Sequence, residues 1–72
     1  MLDMTAQDLL KSLIAMGLTQ VQISAGTGIN QPTVSRVLTG VQQDVTYSDG
    51  QSIETFFRLQ CERRVADRRG AA

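Results

Sequence analysis

The stretch Thr19–Gly40, TQVQISAGTGINQPTVSRVLTG, decides how the chain folds. Thr19 followed three residues later by Gln22 is a capping box. The hydroxyl accepts from a first-turn N–H that has no partner inside the helix, and the glutamine side chain bonds back to the threonine N–H. A helix therefore starts after Thr19. It is short, because Gly26 and Gly28 bracket Thr27 and read as turn glycines, able to take a left-handed backbone without steric cost. Asn30 then offers an N-cap. Pro32 falls in the first turn of the next helix, where its missing N–H would have no intrahelical partner anyway. The stretch reads as helix, tight turn, helix.

The apolar residues fit that geometry. Ile23, Ile29, Val34, Val37 and Leu38 would hold two crossed helices together, with small Ser24 at their closest approach. Outward on the second helix stand Gln31, Thr33, Ser35, Arg36 and Thr39, all able to hydrogen-bond to base edges or phosphates and none of them acidic. On these residues the chain resembles the lambda-repressor and Cro (XRE-type) class of helix-turn-helix DNA-binding domains, up to Gly40. The run QPTVSRVL is also similar to the recognition helix of the lac-repressor family.

The resemblance implies an all-α, four- to five-helix lambda repressor-like domain with the helix-turn-helix at its centre, acting as a phage or prophage regulator. It implies a symmetric homodimer on double-stranded DNA with the second helix of the motif in the major groove. Gln20 matches a position that bonds a phosphate from the start of its helix, and Gln31 a base-contacting position. Thr33, Ser35, Arg36 and Thr39 share that surface. Pro32 stands where the family often has a polar contact residue, so its contact is expected to be apolar, with a thymine methyl. The DNA-binding set is thus Gln20, Gln31, Pro32, Thr33, Ser35, Arg36 and Thr39.

Ahead of the motif, Thr5 and Asp8 form another capping box, and Leu9, Leu10, Leu13 and Ile14 recur at helical spacing while Gln7, Lys11 and Ser12 face water. Gly17 ends this helix, with Leu18 folding back on Leu13. A helix before the motif favours the lambda-repressor arrangement, since the motif opens the lac-repressor headpiece. Neither an effector-binding domain of the lac kind nor a small-molecule effector is expected.

After Gly40 the chain departs from the family pattern: VQQDVTYSDGQ intervenes where a short loop is expected. Val45 and Tyr47 are expected to pin this loop by packing, the alternative being that Tyr47 offers its hydroxyl to a phosphate. Ser48 with Gln51, or Asp49 alone, would cap a last helix, SIETFFRLQCERRVADRR, that ends before Gly70 and carries a Glu54–Arg58 pair. Residues 1–66 would be the domain and 67–72 a disordered tail. On this helix Phe57, Cys61 and Val65 lie about 40°, 80° and 120° from Ile53, and Phe56 and Leu59 lie on the opposite flank. That arc is too wide for one interface. Either the loop from Val41 folds over the second flank or, as the resemblance favours, one of Phe56, Phe57 or Leu59 packs at a dimer interface.

Composition narrows the function classes. Seventy-two residues, one cysteine and no histidine leave no intramolecular disulfide, no structural zinc site and no catalytic constellation, so the chain is not expected to be an enzyme or to carry a cofactor or metal. The glycines of AGTGIN follow no strand and precede no lysine at phosphate-loop spacing. With no membrane span and no signal peptide, a cytoplasmic protein is expected. Zero net charge is unusual for a nucleic-acid binder and points to weak non-specific binding. The competing readings are an antitoxin or a protein-interaction adaptor built on the same helices.

Overall fold

The computed structural model describes residues 5–42 and 45–71, with side chains through Val65. The described residues form four α-helices and no strand: α1 (Ala6–Ala15), α2 (Gln20–Thr27), α3 (Gln31–Thr39) and α4 (Tyr47–Ala71). The fold is all-α.

The expected caps account for the first three helix starts. Asp8 N donates to Thr5 Oγ1 at 3.1 Å while Thr5 N donates to Asp8 Oδ2 at 3.2 Å. The same reciprocal pair joins Gln22 N to Thr19 Oγ1 at 3.1 Å and Thr19 N to Gln22 Oε1 at 2.9 Å. At α3, Thr33 N donates to Asn30 Oδ1 at 3.0 Å, with Pro32 in the first turn. Helix α1 closes in a Schellman motif, Leu18 N bonding Leu13 O at 3.2 Å and Gly17 N bonding Ile14 O at 2.9 Å.

Of the two glycines read as turn residues, only Gly28 is one, with φ +79°. Gly26 lies inside α2, and a Cβ there would meet the Phe56 ring at 2.1 to 2.7 Å. Its role is to let α4 approach α2.

Helix α1 packs on α3 and α4, and α2 packs on the same two. Leu10, Leu13, Ile23, Ile29, Val34, Val37 and Ile53 are buried between them. Leu9, Met16, Leu18, Leu38, Val45, Phe56 and Phe57 close the edges of this core. Ile14 does not join it and is 38% exposed. The apolar arc of α1 from Leu9 to Ile14 spans about 140° at helical spacing, and α4 closes over the Leu9 and Met16 side. Nor does Gln7 simply face water: its Nε2 donates to Leu38 O at 3.0 Å, and Ser12 is half-buried.

The start of α4 differs from the expected one. Thr46 is its cap, accepting from Asp49 N at 3.1 Å, so Ser48 and Asp49 already lie in the first turn. Tyr47, expected to pack, is consequently the first helical residue and is 81% exposed, while Val45, the other residue expected to pin the loop, packs against the core. The Glu54–Arg58 pair is present at 2.6 Å on an exposed surface, where such pairs contribute at most about 1 kcal/mol. The helical backbone continues past Gly70 to Ala71. Residues 1–4, loop residues 43–44, Ala72 and the side chains of 66–71, which include those of the proposed tail, lie outside the described residues.

Candidate nucleic-acid interface

With Val34 and Val37 buried and Leu38 half-buried, the opposite side of α3 is open. At about 100° per residue, Pro32, Arg36 and Thr39 point most directly away from those three, with Gln31 and Ser35 on one flank and Thr33 on the other. Gln31, Pro32, Arg36 and Thr39 are exposed, and Thr33 and Ser35 are half-buried. Gln20 opens α2 and is half-buried. Six of the seven residues expected to meet DNA therefore lie on α3, with Gln20 on the helix packed against it.

The turn that joins the two helices is fixed by side chains bonding to backbone. Ser24 Oγ donates to Ile29 O at 2.5 Å, and Thr27 Oγ1 donates to Ile23 O at 2.8 Å while accepting from Ile29 N at 3.2 Å. Gly28 supplies the left-handed step. Nothing in this arrangement takes up the exposed side chains of α3 except α3 itself.

Those internal bonds decide what each group can offer outward. Arg36 Nε donates to Pro32 O at 3.3 Å, which lays the guanidinium back toward the N-terminal end of α3 and leaves its terminal nitrogens as donors. Thr39 Oγ1 lies 3.0 Å from Ser35 O and 3.2 Å from Arg36 O. While its proton is bonded into the helix, the hydroxyl accepts from a ligand through its lone pairs. Arg36 is also the one ionisable side chain between Thr19 and Gln42. The face is polar, acid-free and carries a single positive charge.

Two residues that bear on this face were not among the expected ones. Gln7 reaches the carbonyl of Leu38 near the end of α3, and no local pattern signals a contact between residues so far apart in the chain. Val41, just past α3, is 77% exposed. On α4, Phe56 and Phe57 pack against the core, and Leu59 is the one of the three expected interface residues left mainly outside, at 51% exposure. Among the described residues there is no cluster of metal-ligating side chains, and no helix is long and apolar enough to cross a membrane.

No family model matches the chain, and no solved structure matches it. Over 50 residues it is 42% identical to protein P2 of Acyrthosiphon pisum secondary endosymbiont phage 1, a match covering 69% of this chain and 53% of that protein. The chain thus spans about half the length of this phage-encoded relative.

Proposed function

We propose that the chain is a sequence-specific double-stranded DNA-binding regulator of the lambda-repressor and Cro kind, encoded by a phage or prophage and acting as a homodimer. The observation that carries this reading is the exposed, acid-free face of α3, presented beside α2 across a turn with Gly28 in the left-handed conformation. A helix of this kind fits the major groove, whose base edges offer the acceptors and donors that Arg36, Gln31 and Ser35 complement. The shape of the α2–α3 unit supports it further, because the residues that bury α3 and those that would read DNA fall on opposite sides. The phage origin of the relative agrees with a regulator of this class. Selection from a pool of random duplexes, followed by titration of the enriched sequence, tests the reading. Enrichment of a two-fold symmetric site is the expected result, and a pool that stays random would overturn it.

A further inference from the structure

Helix α3 is held at both ends by side chains that donate to its flanking carbonyls. At the start the bond is local, from Ser24 Oγ to Ile29 O across the turn. At the end it is not. Gly40 N bonds Val37 O at 3.2 Å and Gln42 N bonds Arg36 O at 3.1 Å. Leu38 O, one of the last-turn carbonyls for which the helix has no N–H, accepts instead from Gln7 Nε2 at 3.0 Å. The bond is partly buried, and the glutamine amide sits in the crook of the left-handed Gly40, where an added Cβ would stand 3.4 Å from that nitrogen.

The helix that supplies Gln7 is the best anchored of the short helices. Leu10 and Leu13 are fully buried, and the guanidinium of Arg64 on α4 donates to Met16 O at the end of α1. A bond from α1 to Leu38 O therefore ties the C-terminal end of α3 to the body of the protein. Apolar contacts at Val34 and Val37 keep α3 against the core and confine its crossing angle to a range of about ±15–20° without fixing it within that range. A hydrogen bond near one end, acting on a helix of nine residues, is directional.

We infer that Gln7 is a positioning residue: its amide sets the tilt of α3 on α1, and through it which base pairs Arg36 and Thr39 reach. The consequence for base pairs rests on the DNA-binding reading; the consequence for tilt does not.

The test compares the wild-type chain with Gln7→Met, which keeps length and helix propensity but cannot donate, and with Gln7→Lys, which restores a donor of similar reach. Residual dipolar couplings report the angle between α1 and α3 without DNA, and titrations compare the selected duplex with versions altered at single base pairs. For Gln7→Met the couplings should no longer fit the wild-type angle, and discrimination should fall by roughly tenfold, the scale of one lost hydrogen bond, while affinity for random duplex is unchanged. Gln7→Lys should restore both. Lost thermal stability with unaltered couplings and discrimination would overturn the inference and leave Gln7 a structural residue. If the wild-type chain selects no duplex, the DNA-binding reading fails and the couplings alone decide the tilt. Should Gln7→Met not fold, Gln7→Glu, which favours the start of α1, carries the same measurements.

Discussion

The ring of Phe56 occupies the space that a side chain on Gly26 would need: a Cβ built there falls 2.1 Å from Cε1. Alanine is the better helix former by about 1 kcal/mol, so at an unconstrained position Gly26→Ala would stabilise α2. Here the overlap outweighs that gain. The ring is partly buried and packed against the core, and forcing extra atoms into such a site costs about 1 to 3 kcal/mol. Urea unfolding should show Gly26→Ala to be net destabilised and should show strong coupling with Phe56→Leu in a double-mutant cycle. Additive effects would mean that the two residues do not touch.

Gly28 makes the opposite case. Nothing lies within 4 Å of a Cβ there, so the cost of a side chain is conformational only, arising from φ +79°. Gly28→Ala should lose about 1 to 2 kcal/mol and Gly28→Val more, while Gly28→Asn should lose least, because asparagine tolerates the left-handed region. Thermal unfolding of the three variants checks that order.

These two glycines also mark how far the sequence could be read. Gly28 does its work locally and is visible beside Asn30 and Pro32; Gly26 answers to Phe56, which no local pattern connects to it. The same division runs through the caps. Thr5 with Asp8 and Thr19 with Gln22 were legible as reciprocal pairs, and Thr46 with Asp49 has the same spacing. There Asp49–Gly50 also spells a turn, which places the expected cap at Ser48 or Asp49, past the observed Thr46. On α1 the apolar period was plain, but whether Leu9 or Ile14 is covered depends on the side from which α4 arrives. The outward set on α3 was legible because Val34 and Val37 set the phase; the partial burial of Thr33 and Gln20 depends on packing between helices.

Arg36 and Gln31 carry the longest polar side chains on the exposed face of α3. Either can bond a base edge through two atoms, so Arg36→Ala or Gln31→Ala should cost about 1 to 3 kcal/mol of specific binding and relax preference at one base pair per half-site. Repeating the duplex selection with each variant checks this. A variant keeping its affinity and its selected sequence does not contact a base through that residue.

With one ionisable group between Thr19 and Gln42, the proposed face neutralises few phosphates. Each contact contributes about −0.9 to the slope of log affinity against log salt, so a dimer touching DNA through Arg36 alone should show a slope of roughly −2. Titrations across a salt series measure it. A slope several times steeper would place the arginines of α4 on the DNA as well.

The proposed dimer depends on which apolar residue of α4 remains free. Phe56 and Phe57 are packed against the core, and Leu59 is 51% exposed at the rim of a groove of about 330 Å³ that also includes Thr27, Ser52 and Thr55. Replacement by glutamate separates the two situations. Phe56→Glu places a carboxylate beside the core and should lower the unfolding temperature sharply, as buried unpaired charges do. Leu59→Glu leaves the core intact, so it should stay folded, sediment as a monomer at micromolar concentration and bind a two-fold operator much more weakly. If the wild-type chain sediments as a monomer both free and on its operator, Leu59 faces solvent rather than a second copy, and the two half-sites are read by independent molecules.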